Sequence, residues 1–186
     1  MEWEIITPNS FRQEDSKDSK CRIFLAGPTS GNLSWRPKLI NDINNQVSIY
    51  LDKLTYYSPQ WGYYKTDPHF YPMKFDEENQ INWEFEHLSK SDIIVFGLFN
   101  PDDAGKENAW TDAHDYAQAT RYELGKYSVP SNMNSVIIYG EKGFKGLSYI
   151  KAMTKKSGRF RWYTERYDLF LNIIQNQIKE YISLKR

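Results

Sequence analysis

Residues 92–99 read Asp-Ile-Ile-Val-Phe-Gly-Leu-Phe, which is the clearest strand pattern in the chain. The run is continuous rather than alternating, and it is rich in β-branched residues. Such a run is typical of a strand covered on both faces, so it predicts an interior strand of a parallel sheet. Outward from this run, further strands are predicted at 22–26, 54–58 and 135–139. Residues 2–7 could form a short edge strand, and 159–163 could form a fifth strand.

Helical patterns lie between these strands. The first helix is predicted from Ser34, a plausible N-cap, through about residue 53. Its apolar residues recur at steps of four: Leu39, Ile43, Val47 and Leu51. Further helices are predicted at 76–90, 111–127, 146–156 and 165–182. The apolar stripe predicted for the helix at 76–90 consists of Ile81, Phe85 and Leu88.

Alternating strands and helices favour a parallel sheet with right-handed crossovers. The length of 186 residues suits one domain with one core. We therefore predict a single α/β domain over residues 1–186, a three-layer sandwich. Its parallel sheet is expected to have four or five strands, with helices on both faces.

The composition excludes some classes of protein. Hydrophobic residues make up 40% and charged residues 26%, which is ordinary for a soluble globular domain. Lysine plus arginine equals aspartate plus glutamate at 24 each, so the chain lacks the basic excess of nucleic-acid binders. No apolar run reaches membrane-span length, and residues 1–8 do not resemble a signal peptide. We expect a cytoplasmic protein that binds neither nucleic acid nor membrane.

Aromatic residues are abundant, at 16% of the chain. Two interpretations stay open: the rings replace aliphatic side chains in the core, or some line a pocket that stacks flat rings such as nucleobases. The segment 59–76 holds several of them between prolines, and long loops of this kind are often functional. The single cysteine, Cys21, opens a predicted core strand and is expected to be a buried, inert thiol.

Three short segments fall at or beyond the carboxyl ends of predicted strands, where open parallel sheets bind their ligands. The first contains Gly27, Pro28, Thr29 and Ser30. Its glycine lets the backbone approach a ligand, and its hydroxyls are suited to hold sugar or phosphate oxygens. A simple strand-ending turn is the alternative interpretation.

The other two segments each carry a glutamate. They are Gln80-Ile81-Asn82-Trp83-Glu84 and Arg121-Tyr122-Glu123-Leu124-Gly125. Glu84 shares a helix face with Leu88, which places it near the edge of the core. The alternative for each carboxylate is a solvated position on a helix surface, and for Glu123 an ion pair with Arg121 or Lys126.

Other catalytic classes find little support in the sequence. His69, His87 and His114 show no zinc-type spacing with Cys21. There is no G-x-G-x-x-G fingerprint, no P-loop and no G-x-S-x-G elbow. The segment Asp112-Ala113-His114-Asp115 is a weak signal for a metal. We therefore predict neither a metal site nor a cofactor.

Taken in order, five segments resemble the nucleoside 2-deoxyribosyltransferase superfamily, and more closely its 2-deoxyribosyltransferase-like branch. They are 23–28 (IFLAGP), 35–36 (WR), 80–84 (QINWE), 91–96 (SDIIVF) and 122–125 (YELG). No single motif is decisive, but five in this order and at compatible spacing are fairly specific. The resemblance covers about residues 21–140.

The resemblance implies a flavodoxin-like, Rossmann-like sandwich that cleaves the N-glycosidic bond of (deoxy)nucleosides and transfers the sugar to another base. It makes Glu123 the nucleophile on the anomeric carbon and Glu84 the carboxyl that contacts the leaving base. The loop at 27–30 would border the sugar. The other residues that the motifs bring to the substrate site are Trp35, Arg36, Trp83 and Tyr122. Family members complete each site from a neighbouring subunit, so a homo-oligomer built from dimers is also implied.

The sequence departs from better-known members in two places. Phe24 stands where they carry a tyrosine near the nucleophile, so the positioning hydroxyl is missing or comes from elsewhere, such as Tyr122. Nucleotide-hydrolysing relatives carry an arginine soon after the first glycine of the loop, whereas residues 28–30 (PTS) follow here; phosphate binding would fall to Arg36 or to hydroxyls. Two alternatives to a transferase stay open: a hydrolase of nucleosides or their 5′-monophosphates, and a nucleotide-binding module without turnover.

Overall fold

The computed structural model describes the chain at residues 3–8, 20–29, 32, 34–59, 77–101, 117–127, 135–157 and 163–185. Within these ranges lies one sheet of six parallel strands. In chain order they are β1 (Glu4–Ile6), β2 (Cys21–Ala26), β3 (Leu54–Tyr57), β4 (Ile93–Leu98), β5 (Ser135–Gly140) and β6 (Tyr163–Thr164). Across the sheet the order is β1-β3-β2-β4-β5-β6.

Strand β4 is interior to the sheet, which confirms the prediction from its apolar run. It pairs with β2 on one side and β5 on the other, and all six of its residues are buried. Its side chains alternate between two core clusters, with Ile93 and Val95 in one and Ile94 and Phe96 in the other. Burial on both faces is the physical reason for a continuous rather than alternating pattern.

Five α-helices in the described part of the chain cover the two faces of the sheet. They are α1 (Trp35–Gln46), α2 (Glu77–Lys90), α3 (Gln118–Tyr127), α4 (Leu147–Ser157) and α5 (Tyr167–Leu184). Helices α1 and α5 pack on one face, and α2, α3 and α4 contribute to the core on the other. This arrangement confirms a three-layer α/β sandwich of the flavodoxin-like or Rossmann-like kind.

The predicted strand count was wrong, because the sheet has six strands rather than four or five. The two edge strands β1 and β6 have only three and two residues, which is too short to establish a period of two in the sequence. The first helix also ends earlier than predicted, at Gln46, and Ser48–Lys53 form a separate 3-10 helix. Between them, Val47 has φ −119° and ψ 31°, which interrupts the α-helical backbone.

The apolar stripe predicted for α2 is wrong. Ile81 and Phe85 are each 47% exposed. The residues that the helix buries are Gln80, Trp83, His87 and Leu88. Trp83 and His87 stack with their ring centroids 4.2 Å apart, and Tyr57 of β3 meets His87 edge-on at 4.6 Å. Packing of these large rings against the sheet decides which face of the helix turns inward.

Several predictions fall on residues that the structure does not describe. Residues 60–76 and 102–116 include most of the aromatic segment and the first part of the helix predicted at 111–127. Of the strand predicted at 159–163, Tyr163 is described, and it begins β6. Cys21 is fully buried as expected, and burial raises the pKa of its thiol. None of the helices in the described ranges combines the length and the apolar composition that a bilayer crossing requires.

Candidate active site

The strand order reverses at β2, because β3 lies on one side of it and β4 on the other. In open parallel sheets such a reversal leaves a crevice at the carboxyl ends of the two strands. Gly27 directly follows β2 and has φ +151°, a backbone conformation that residues other than glycine rarely adopt. A Cβ here would lie 2.6 Å from the carbonyl oxygen of Gly97 in β4 and 2.7 Å from the ring of Trp35. Glycine therefore allows the strand-end loop to lie this close to β4.

Trp35, at the start of α1, packs beside this glycine. The side chain is only 3% exposed, and its ring stacks on Phe99 with centroids 5.2 Å apart. Its Nε1 donates to the carbonyl oxygen of Pro28 at 3.0 Å. Trp35 thus shapes the strand-end loop from the α1 side of the sheet.

Arg36 is fully buried and binds the same loop. Its Nε donates to the carbonyl oxygen of Leu25 at 3.0 Å, Nη1 to that of Pro28 at 2.8 Å, and Nη2 to that of Gly27 at 2.7 Å. The rigid planar fork of a guanidinium suits three acceptors spread over one turn of backbone. The described hydrogen bonds of Arg36 therefore hold the main chain at the end of β2.

Glu84 of α2 and Glu123 of α3 meet where these two helices lie side by side on one face of the sheet. Their carboxyl groups hydrogen-bond to each other. The side-chain amide of Gln80 donates to Glu84 and also to the carbonyl oxygen of Pro59, the latter at 3.1 Å. The fold thus unites the two glutamates that the sequence singles out.

Burial and mutual repulsion control the protonation of this carboxyl pair. Burial is the largest cause of the raised pKa of each carboxyl. The charge of the neighbouring Glu84 adds to the effect of burial on Glu123, and together they raise its pKa to about 8. Burial also raises the pKa of Glu84, against the opposing effect of its hydrogen bonds to Gln80 and Glu123. Arg36 lowers the pKa of both carboxyls. Two like charges in contact are unfavourable, so the pair favours a state in which at least one carboxyl is protonated.

A groove of about 360 Å³ lies over the carboxyl pair between α2 and α3. Apart from the two glutamates its lining is mostly apolar or aromatic: Ile81, Phe85, Leu88, Ala119 and Tyr122. Lys126 completes the lining, with its Nζ 3.4 Å from the centre of the Phe85 ring. An apolar groove with a few convergent polar groups is the common composition of a small-molecule site.

The other predicted site residues lie at the end of β2 or beside the groove. Gly27 and Pro28 are buried at the end of β2, and Thr29 is exposed beside them, whereas Ser30 lies outside the described residues. Tyr122 borders the groove and is 70% exposed. Thr29 and Tyr122 are therefore accessible to solvent, while Trp35 and Arg36 hold the buried part of the loop from α1.

Trp83 lies against the sheet with only 6% of its surface exposed. It packs on Phe24 and Tyr57, with ring centroids 6.0 and 6.4 Å away. Its buried Nε1 has no hydrogen-bond partner among the described residues. Phe24 is itself fully buried in this cluster, so an aromatic ring at that position packs against α2.

Sequence reasoning missed a cluster of polar residues that links the ends of β4 and β5 to Asn32. Asn32 donates to the carbonyl oxygen of Asn100 at 2.9 Å, and the main-chain N–H of Asn100 donates to Glu141 at 2.6 Å. The amide of Asn100 also donates to the carbonyl oxygen of Lys142 at 3.0 Å. Asn100 and Glu141 stand just past β4 and β5, so the rule that directs attention to strand ends would have found them.

Within the described residues no group of three or more His, Cys, Asp or Glu side chains is arranged to hold a metal ion. The segment at 112–115, which is the weak metal signal in the sequence, lies outside those residues.

Comparison with known proteins identifies a family. A family model described as nucleoside 2-deoxyribosyltransferase-like matches residues 20–128, more than half of the chain. No curated protein sequence matches the chain significantly. One similar solved structure is that of a conserved protein from Enterococcus faecalis V583. It is 14% identical, the match covers 87% of this chain and 98% of that one, and the TM-score is 0.41.

Proposed function

Since the chain belongs to the nucleoside 2-deoxyribosyltransferase-like family, we propose that it cleaves the N-glycosidic bond of (deoxy)nucleosides and transfers the sugar to another base. The observation that carries this proposal is the hydrogen-bonded pair of Glu84 and Glu123 in an apolar groove. Glycoside cleavage with retention uses two carboxyl groups, one as nucleophile and one as acid and base. A pair that holds a single proton supplies both forms together.

The proposed reaction is a double displacement. A carboxylate oxygen of Glu123 forms a bond to the anomeric carbon while the bond to the base breaks, and the departing electron pair goes to the base. Glu84 gives its proton to that base. A second base then attacks the anomeric carbon, gives its proton to Glu84 and releases Glu123 as a carboxylate.

The proton must lie on Glu84 when the first step begins. Before substrate binds, burial and the Glu84 charge both favour the protonated form of Glu123. We propose that the proton passes to Glu84 along the hydrogen bond that joins the two carboxyls when a base contacts Glu84. This leaves Glu123 ionised beside the sugar, where an oxocarbenium-like transition state gains from a negative charge.

A nucleoside without a phosphate fits the site better than a 5′-monophosphate. The described loop residues 26–29 (AGPT) carry no cation, and the three hydrogen bonds of Arg36 to the loop go to carbonyl oxygens. The balance of 24 basic and 24 acidic residues supports a small-molecule substrate rather than nucleic acid. A cytoplasmic location fits a single cysteine that is a free, buried thiol.

The decisive experiment supplies the pure protein with a panel of deoxynucleosides and a second free base, with products separated by chromatography. A new nucleoside supports the proposal. Free sugar without a new nucleoside identifies a hydrolase instead, and ligand binding without any product identifies a binding module. The Glu123→Gln protein is the control that exposes contaminating activity.

We also propose a homo-oligomer built from dimers. Ile81 and Phe85 on α2 and Tyr122 on α3 are exposed by 47%, 47% and 70% around the groove. Large apolar side chains exposed together are typical of an interaction surface. Light scattering at micromolar concentration should give a multiple of the chain mass of 22.1 kDa. A single species of that mass would contradict the proposal.

A further inference from the structure

A second groove lies between helices α3 and α4, and we call it the α3–α4 groove. Its volume is about 470 Å³, compared with about 360 Å³ for the groove over the carboxyl pair. No described residue lines both grooves, because Glu123 faces the first and its neighbours Leu124 and Gly125 face the second. Small-molecule sites usually measure roughly 300 to 1,000 Å³. The α3–α4 groove is therefore large enough for a ligand of its own.

The lining of the α3–α4 groove is mostly apolar. Leu124 of α3 and Ile150 of α4 contribute buried side chains. Tyr149 and Met153 lie one helical turn apart on α4 and are 70% and 48% exposed. A phenol ring and a thioether both make favourable contacts with aromatic rings. The composition of the groove therefore suits a ligand with an aromatic body.

Gly125, which also lines the groove, is not required by the packing of the described residues. It lies within α3, where glycine is the least favourable residue after proline. Its φ is not positive, and a Cβ here would meet no described atom within 4 Å beyond its immediate helix surroundings. By contrast, a Cβ at Gly97 would collide with Trp35 and Phe99, so packing explains that glycine. A ligand that approaches the backbone of α3 would explain Gly125.

Arg121 is the charged residue of the described lining. Its Nη2 donates to the carbonyl oxygen of Lys145 at 3.1 Å, and its guanidinium carbon lies 5.7 Å from the centre of the Phe144 ring. These contacts hold the guanidinium in place before a ligand arrives, which reduces the entropy cost of binding. Helix α4 adds three lysines, of which Lys151 pairs with Glu165, and it contains no acidic residue. The charges around the groove therefore favour an anion.

We propose that the α3–α4 groove is a second ligand site and that its ligand is a small aromatic carboxylate. The aromatic body lies against Tyr149 and Met153 and over the backbone of Gly125. The carboxylate accepts hydrogen bonds from Arg121, whose planar guanidinium matches its geometry. One guanidinium balances one negative charge, so a carboxylate fits better than a phosphate monoester, which carries nearly two. The site is independent of the proposed function, because neither glutamate of the carboxyl pair takes part in it.

Two ligands and two substitutions test this site by isothermal titration calorimetry of the full chain. 1-Naphthylacetate carries the ring and the carboxylate, and 1-naphthylacetamide retains the ring without the charge. Gly125→Leu fills the groove, and Ala152→Leu is its matched control, since Ala152 is exposed on α4 outside the described lining. Arg121→Gln removes the cation, and Lys155→Gln removes a cation of α4 that does not line the groove.

We expect wild-type protein to bind one naphthylacetate per chain and to bind the amide about tenfold more weakly, because a charge-assisted hydrogen bond is lost. Gly125→Leu should weaken naphthylacetate binding by about tenfold or more, since its side chain takes the place of the ring. Arg121→Gln should bind the two ligands alike. The two control variants should bind as wild type does.

The stability of a smaller variant distinguishes a role in binding from a role in folding. Gly125→Ala adds only the Cβ that no described residue obstructs, and alanine favours the helix. The melting temperature of the ligand-free protein should therefore rise by about 2–4 °C. A fall in melting temperature would show that the fold itself needs this glycine, and it would overturn the argument from Gly125.

Three results overturn the site: no binding of naphthylacetate to wild-type protein, unchanged binding in Gly125→Leu, or displacement of naphthylacetate by a deoxynucleoside, which would place it in the groove over the carboxyl pair. Equal affinity of wild-type protein for the acid and the amide overturns the carboxylate as ligand, and this comparison decides the point even if Arg121→Gln does not fold. Binding is measured without turnover, so a protein that processes no nucleoside can still support the site.

Discussion

The two ends of strand β2 each have an arginine beside them, and the two arginines are placed in opposite ways. At the amino end, Arg22 meets Asp92 directly, with Nε 3.2 Å from Oδ2, and the main-chain N–H of Arg22 donates to the same oxygen at 2.9 Å. At the carboxyl end, Arg36 donates to carbonyl oxygens while Glu84 and Glu123 bond to each other.

The ion pair at the amino end stabilises the fold, whereas the pair of carboxyls at the carboxyl end destabilises it. An ion pair completed by a main-chain hydrogen bond ties β2 to β4 and leaves little charge unbalanced. Two carboxyls in contact repel each other, so folding must supply the free energy that holds them together. Clusters with such perturbed pKa values are concentrated at functional sites. We therefore expect substitutions at the carboxyl end to change activity and those at the amino end to change stability.

The largest effect is expected at the nucleophile of the carboxyl end. Glu123→Gln retains the size of the side chain but removes the charge, so turnover should fall by about a thousandfold or more with folding preserved. Glu123→Asp should also be poor, because one methylene less misplaces the attacking oxygen. Steady-state kinetics measures both variants.

A trapped intermediate would identify the nucleophile directly. With a 2-fluoro-2-deoxy nucleoside analogue, which slows breakdown of a glycosyl-enzyme, intact mass spectrometry should show one sugar adduct per chain, mapping to Glu123. An adduct on another carboxylate, or full activity of Glu123→Gln, would remove Glu123 from the mechanism.

The second glutamate should show a smaller loss. Glu84→Ala removes the group that protonates the base, which typically contributes a factor of about a hundred or more. The melting temperature should stay nearly unchanged, because the lost side chain is one member of a repulsive pair. Glu78→Ala, an exposed position on the same helix, is the matched control and should alter neither quantity. Unchanged kinetics in Glu84→Ala would show that Glu84 does not protonate the base and is an ordinary helix-surface residue.

At the amino end the expected effect is on stability alone. Asp92→Ala leaves the Arg22 guanidinium and main-chain N–H without this acceptor, which should lower the free energy of unfolding by about 1–2 kcal/mol. Urea denaturation measures the loss, and kcat/KM should stay at the wild-type value. Lost turnover in a protein of unchanged stability would contradict the contrast between the two ends.

The last expected effect is a pH dependence of stability. The pKa of Glu123 is raised from 4.5 to about 8 by folding, so the native state holds a proton that the unfolded chain releases in this range. The stabilisation is therefore complete below about pH 4.5 and is lost as the pH rises through about 8. In Glu84→Gln, where the repulsion is absent, the melting temperature should fall less over the same range. Equal slopes in the two proteins would show that the glutamates do not repel.

Much of the fold was predictable because its signals are local. The apolar run at 92–99 and the alternation of strands and helices predict the α/β class and the interior place of β4. The face of α2 was not predictable in this way. Ile81 and Phe85 follow the helical period as well as the buried residues do, and only the rings of Tyr57, Trp83 and His87 decide which side packs on the sheet.

In the candidate site, too, some features could be predicted from the sequence and others depend on packing. Glu84 and Glu123 could be predicted as candidates because each lies in a short segment that resembles a motif of the family. Trp35 and Arg36 could be predicted as candidate site residues, but their hydrogen bonds to the loop after β2 could not. Those bonds depend on where α1 lies above the end of β2, which no spacing in the sequence states.

The sequence by itself determined the strand pattern, the class of fold and the identity of the two carboxyl residues. The tertiary structure alone decided that these carboxyls meet in a buried, hydrogen-bonded pair and that Arg36 lies near enough to lower the pKa of both. The physical reason is that helical and strand periods are properties of neighbouring residues. A pKa depends on burial and on charges within a few ångströms, and folding brings those together from α1, α2 and α3.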